Sequence, residues 1–393
     1  MQFPHDEALQ ELEGLILQLC AIPAPSGGER ARAEFCRDFL ARAGAKELLI
    51  DEADNLLLPI GCEGASQIDV LMAHTDTVFP ETTPFSPKRR GNRLYCPGVG
   101  DDTANLAILL LGARAVLEQG LRPKSGGVLF VADSGEEGLG NLRGIRQVMK
   151  DYAGRVRSVV SFDGTLNTLC NWAVGSLRYE VRAKVKGGHS YGHFGSRNAI
   201  EALASLIVDL YAIKPPKIGK SKTTYNVGRV SGGTSINSIA QSAKMLYEIR
   251  SDHRLCLEAT HRLFEDALGR ARERKDASFE VTLLGERPCM GDVDPAAQGE
   301  LEGYYIALSE RHLSKRPQLG PGSTDCNIPF SLGIPSLSCG FYSGGGAHTY
   351  EEYIELPSLK YGLKMGMEAI LHHFKRPSGP AHGGLCPPYG TPF

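Results

Sequence analysis

A histidine, His74, ends the short apolar run Val70-Leu-Met-Ala, and a carboxylate, Asp76, follows two residues later. Such a run reads as a buried strand, and a strand keeps residues i and i+2 on one face. His74 is therefore a candidate metal ligand, and Asp76 a candidate partner that orients its imidazole. More acids stand at comparable places. Gly135-Glu136-Glu137-Gly138 follows the apolar run Gly127-Val-Leu-Phe-Val-Ala132, and Asp163-Gly164 follows Ser158-Val-Val-Ser-Phe162. Gly100-Asp101-Asp102 precedes an apolar helical stretch over 104–119, and His348 lies in Gly344-Gly-Gly-Ala-His348-Thr. Two histidines with several carboxylates suit a borderline-to-hard divalent ion, with Zn²⁺ foremost and Mn²⁺ or Co²⁺ as alternatives. His74, Asp101, Glu136 or Glu137, Asp163 and His348 exceed what one tetrahedral zinc needs. A carboxylate bridging two ions would use them all.

Each motif also has a plainer reading. Asp101 and Asp102 suit a helix N-terminus, where unpaired N–H groups and the dipole favour acids. Adjacent glutamates on a surface loop are usually just solvated. What outweighs these readings is convergence, because ligands of a parallel α/β sheet bind at the carboxyl ends of its strands.

The elements that must position these residues fall into two textures. Up to about residue 173 the apolar runs are continuous, as in strands covered on both faces. Helices are expected over 6–20 and 28–42, with Ser26 as a cap for the second. A strand pair is expected over 48–60, and a long polar loop over 80–97. From Arg178 to Val185 the pattern switches to strict alternation, with Tyr179, Val181, Ala183 and Val185 on one face and charged residues on the other. That marks a half-exposed antiparallel strand. A β-α-β-β-α-β order then runs to about 288. Helices over 295–311 and 356–374, a turn-rich loop over 320–327 and a short strand over 336–339 complete the chain. The expected organisation is an α/β domain with a mostly parallel central sheet (1–173 and 289–375), an inserted α+β domain (174–288) and a Pro/Gly-rich tail (376–393).

The chain has 393 residues, 42% hydrophobic and 22% charged, with a formal net charge of −2. Its basic residues are scattered, so no nucleic-acid-binding stripe is present. No apolar run reaches membrane-spanning length, and the N-terminus lacks a signal-peptide pattern. The ten cysteines include no Cys-x-x-Cys, which suits reduced thiols in a soluble, cytoplasmic protein.

His74-Thr-Asp76, Gly100-Asp101-Asp102, Gly135-Glu136-Glu137-Gly, Asp163-Gly and Ala347-His348-Thr together resemble the di-zinc hydrolases that include peptidase T, carboxypeptidase G, acetylornithine deacetylase and succinyl-diaminopimelate desuccinylase. The resemblance runs from about Ile22 to Phe374. It implies a zinc-exopeptidase-like catalytic domain with an inserted lid through which two chains dimerise. It implies that His74 and Asp163 hold one metal, that Glu137 and His348 hold the other, and that Asp101 bridges them, often with a cis peptide bond after it. Asp76 would orient His74, and Glu136 would be the general base that passes a proton from water to the leaving amine. In the lid, His189 of Gly188-His189-Ser190 would hydrogen-bond the oxyanion, while Asn237 and Arg250 would hold a substrate carboxylate. Asp at position 163, together with Gly187-Gly-His-Ser-Tyr-Gly-His-Phe-Gly195, is most similar to the peptidase-T-like branch, which implies a di- or tripeptide aminopeptidase.

An N-acyl-amino-acid deacylase or a carboxypeptidase would use the same metal core. A non-catalytic protein on this fold would have lost Glu136 or a ligand, and none is lost. A serine or cysteine hydrolase using Ser190 or Cys326 lacks the Gly-x-Ser-x-Gly elbow.

Overall fold

The computed structural model describes residues 5–274 and 276–377, and the stretch from 378 onward, with most of the expected tail, lies outside it. The chain divides into two compact units, one formed by residues up to Ala173 and from Gly291 onward, the other by Val174–Met290.

The first unit is built on an eight-stranded sheet. Its order is Leu49–Ile50, Leu56–Ile60, Gly127–Asp133, Ile68–His74, Val156–Ser161, Ser336–Cys339, Thr168–Ala173, Gln318–Gly322. The four middle strands run parallel. Ile68–His74 and Gly127–Asp133 are buried along their whole length, as continuous Val/Leu/Ala runs require when both faces are covered. Side chains alternate between the two faces. Leu71, Ala73, Val128 and Phe130 pack with the helices His5–Cys20, Asn105–Glu118 and Leu359–Lys375. Val70, Met72, Leu129 and Val131 pack with Ile145, Val148 and Met149 of helix Arg143–Asp151. Because the middle strands are parallel, the loops after His74, Asp133, Ser161 and Cys339 all leave from one edge.

Details depart from the sequence reading. Ser26 caps no helix; the second helix is Arg30–Arg42, with Glu29 at its N-cap and no side-chain cap bond. The expected loop over 80–97 contains the hairpin strands Lys88–Arg90 and Arg93–Tyr95, and the second of these pairs with Tyr353–Glu355. Strand Thr168–Ala173 was hidden because its sequence mixes polar and apolar residues, and it recruits Gln318–Gly322 from the expected turn-rich loop. Asp101 and Asp102 sit inside an irregular helical turn, Val99–Ala104, ahead of helix Asn105–Glu118, and neither acts as its cap.

The second unit is a four-stranded antiparallel sheet in the order Thr223–Gly232, Ser242–Ser251, Gly175–Lys184, Ser278–Arg287. Tyr179, Val181, Ala183, Met245, Tyr247 and Ile249 face helices Ala199–Tyr211 and Arg254–Glu273 in a core of their own. Asn198 caps the first of these helices through Ile200 N–H. Among the described residues no helix is long and apolar enough to cross a membrane, and the cysteines among those residues are free thiols.

Candidate metal centre

The centre is assembled at the carboxyl edge of the parallel strands. His74 is the last residue of its strand, and its imidazole is fixed from two sides. Nδ1 lies 3.0 Å from the backbone carbonyl oxygen of Asp76 and 3.5 Å from its carboxylate. Nε2 lies 3.0 Å from Asp101 Oδ1. The other oxygen of Asp101, Oδ2, is 3.1 Å from His348 Nε2, and that nitrogen is also 3.1 Å from Glu137 Oε1. Asp101 thus spans the two histidines. Ligand atoms of His74, Asp101, Asp102 and Asp163 lie within 4.8 Å of one another, as do those of His74, Glu136 and Glu137, and those of Asp101, Glu137 and His348. The structure therefore brings together all six first-unit residues expected to hold metal or move protons: His74, Asp101, Glu136, Glu137, Asp163 and His348.

Charge at the centre reflects this crowding. Hydrogen bonds to Asp101 and Glu137 raise His348 to about 10. Burial opposes protonation of His74, but the charge of Asp102 and hydrogen bonds to Asp101 and Asp76 raise its pKa well above the usual imidazole range. Burial, with the charges of Asp101 and Glu137, pushes Asp163 up to about 6. Carboxylates crowded until one begins to hold its proton are a site short of positive charge. Divalent cations would supply it, and the mixed imidazole and carboxylate donors suit them. His348 itself sits at φ +65°, a left-handed conformation unusual outside glycine.

Asp76 does more than face His74. Its carboxylate accepts the amide N–H of Glu136 at 3.0 Å and that of Glu137 at 2.9 Å, and the Ser26 hydroxyl at 2.6 Å. That is the observed role of Ser26. The turn beneath Glu136 has a second clamp: Glu29 accepts Gly135 N–H at 3.1 Å and is paired with Arg143 through two hydrogen bonds. Deeper still lie the fully buried carboxyls of Asp133 and Asp325. Burial raises Asp133 to about 7 and Asp325 well above the usual range.

The sequence reading gives no role at the centre to Asp102, Asn105 or Glu352. Asp102, joined to Asp101 by a cis peptide bond, accepts His74 N–H at 3.1 Å and the Asn105 amide at 2.7 Å. Asn105 also donates to Gly164 carbonyl at 3.2 Å and accepts Phe341 N–H at 2.8 Å. It thereby ties the loops after three strands together. Glu352 is buried and accepts three backbone N–H groups around Asp101. Its one sequence clue is its position four residues after His348.

In the second unit, Gly188–His189 pairs with Ser238–Ile239, and Ser190 N–H donates to Asn237 carbonyl at 3.0 Å. His189 and Asn237 therefore sit on adjoining loops, both exposed. Arg250 lies on strand Ser242–Ser251 and donates through Nε to Glu248 at 3.1 Å, an ordinary strand charge pair. Cys326 is buried, and burial raises its thiol well above the usual range, which unfits it as a nucleophile.

The chain is similar to known proteins over most of its length. Residues 70–372 match the model of peptidase family M20/M25/M40. The chain is 28% identical over 257 residues to a probable carboxypeptidase of Aspergillus terreus, covering 59% of this chain and 58% of that protein. It is 25% identical over 333 residues to an acetylornithine deacetylase of Salmonella typhimurium, covering 81% and 83% respectively. A tripeptidase of Staphylococcus aureus has a similar fold, with a TM-score of 0.73 at 20% identity over 93% of this chain and 98% of that one.

Proposed function

This chain belongs to peptidase family M20/M25/M40 and is a hydrolytic metallopeptidase, and from that premise we propose that it cleaves amide bonds of short peptides as a di- or tripeptide aminopeptidase with two Zn²⁺ ions. The observation that carries the reading is the Asp101 carboxylate, whose two oxygens point to different histidines, His74 and His348. On this reading His74 and Asp163 hold one ion, Glu137 and His348 the other, and Asp101 both. When bound, the ions polarise the scissile carbonyl and make hydroxide available near neutral pH.

The chain's own groups do the rest. Glu136 takes the proton of the attacking water and delivers it to the leaving amine nitrogen, the work of a positioned carboxylate. Its backbone is held by Asp76, which keeps the base in register with the ligand beside it. His189 donates to the developing oxyanion, and Asn237 and Arg250 bind the substrate carboxylate. The support for these three is the resemblance of their motifs and the adjoining of the His189 and Asn237 loops. A homodimer through the second unit belongs to the same proposal. Strand Thr223–Gly232 ends its sheet, and an unpaired edge can take a partner's strand.

Asp at position 163 and the Gly187–Gly195 segment favour peptides with a free amino terminus. The names of the sequence relatives favour a second reading, an N-acyl-amino-acid deacylase or a carboxypeptidase on the same metal core. Incubating zinc-loaded protein with Leu-Gly-Gly and with acetyl-Leu-Gly-Gly, followed by mass spectrometry, separates them. Leucine released from the free peptide alone supports the aminopeptidase. Acetate or terminal glycine released from the blocked peptide moves the assignment to the second reading.

A further inference from the structure

Glu352 lies on neither ligand strand and is no ligand of the centre described above, yet its carboxylate is wholly engaged with the backbone of the Asp101 loop. Oε2 accepts Gly98 N–H at 2.7 Å, and Oε1 accepts Gly100 N–H at 2.9 Å and Asp101 N–H at 2.8 Å. The side chain is 2% exposed. N–H groups that converge in this way form a concavity for an acceptor oxygen, and here the chain supplies it as the Glu352 carboxyl group. The loop cannot easily take another path. Gly98 has φ +71°, and a Cβ there would come within 2.6 Å of Thr77, while one at Gly100 would come within 2.5 Å of Tyr342. The backbone of Glu352 is tied to the same loop, since Cys96 N–H donates to its carbonyl at 3.1 Å.

We propose that Glu352 is a positioning residue that seats the Asp101 carboxylate against His348, and so sets the spacing of the two ion sites. His348 and Glu352 belong to one segment, four residues apart, so a single stretch of chain supplies a ligand and holds the backbone of the residue between the ligands. The inference rests on the two-ion reading of Asp101. A carboxylate that merely satisfied buried amides would stabilise the fold and leave the ions indifferent to its replacement.

The test is ion affinity, measured by chelator competition without substrate, on wild type, E352Q and E352D. Gln keeps the length but sets an NH₂ group against one of the amide donors. Asp keeps the charge but falls a methylene short of the three amides. Both are expected to bind the more weakly held Zn²⁺ about 10–100-fold less tightly, with kcat lowered by a similar factor and KM within about 3-fold. The visible absorption of the Co²⁺-substituted variants is expected to shift, reporting altered ligand geometry. Lower thermal stability with wild-type ion affinity and an unchanged Co²⁺ spectrum would overturn the proposal while leaving the hydrolase reading intact. A wild-type protein that binds no ions would overturn both. If neither variant folds, amide exchange in the wild-type protein decides. Slow exchange at Gly98, Gly100 and Asp101 is expected, and exchange at the rate of an open loop would overturn the assignment.

Discussion

Asp76 Oδ2 accepts the backbone N–H of Glu137 at 2.9 Å, so the acid of the chain's first metal motif holds the peptide of the third motif. The relationship couples the strand that ends in His74 to the turn that carries Glu136 and Glu137. It also explains why a carboxylate is needed at position 76. Neutral oxygen would leave one of the two converging N–H groups poorly satisfied, and burial makes such a loss costly. The metal ligands and the base are thereby built as one rigid piece, as preorganised catalysis requires.

Removing the proton carrier should separate binding from turnover. Glu136→Ala is expected to bind the same number of ions as wild type and to lose nearly all hydrolysis, a drop of about 10²–10⁴-fold for a general acid–base group. Bound metal measured by mass spectrometry alongside initial rates checks this. A variant that turns over at the wild-type rate would show that the base is another residue.

Ion binding should release protons. In the metal-free chain His348 titrates at about 10 because Asp101 and Glu137 hold its proton, and His74 is likewise raised. Both imidazoles must lose that proton to become ligands. Calorimetry of Zn²⁺ binding at pH 7 in two buffers of different ionisation enthalpy should report release of roughly two protons, with affinity climbing as pH rises. A heat of binding identical in the two buffers would contradict this. The same shift has a consequence for stability. The folded value of His348 lies above its unfolded value, so its contribution is fully present below about 6.5 and is lost as pH rises through about 10. The metal-free protein should therefore melt at lower temperature in alkaline buffer.

Far from the centre, at the opposite end of the parallel strands, Asp69 is fully buried and paired with Arg157 at 2.6 Å, His373 at 2.9 Å and Arg376 at 3.2 Å. The cluster anchors the end of helix Leu359–Lys375 to two central strands. Asp69→Ala leaves Arg157 buried without its carboxylate and is expected to cost about 3–5 kcal/mol, read as a lowered urea midpoint. Folded variant should retain its bound ions. An unchanged midpoint would show that the cluster contributes nothing to stability.

What could be read from the sequence was whatever a local period encodes. The run ending at His74 declares a buried strand, and once several such runs end in acids, the parallel sheet makes them converge. The alternation from Arg178 to Val185 likewise declares a change of architecture. What stayed hidden depends on partners distant in sequence. Asn105 reaches Phe341, Glu352 reaches Gly98 and Glu29 reaches Gly135, and each looks locally like a helix or loop residue. Ser26 misled because Ser before a helix usually caps it, whereas here the Asp76 carboxylate offers its hydroxyl a charged acceptor. Strand Thr168–Ala173 escaped because it is stabilised by neighbours on both sides and not by its own pattern.

The central claim is that Asp101 joins two ion sites. Anomalous diffraction at the zinc edge from crystals of the zinc-loaded protein tests it most directly. The account predicts two peaks per chain, each about 2.0–2.2 Å from a different oxygen of Asp101, one beside His74 and Asp163 and the other beside Glu137 and His348. A single peak, or two peaks of which only one touches Asp101, would contradict it.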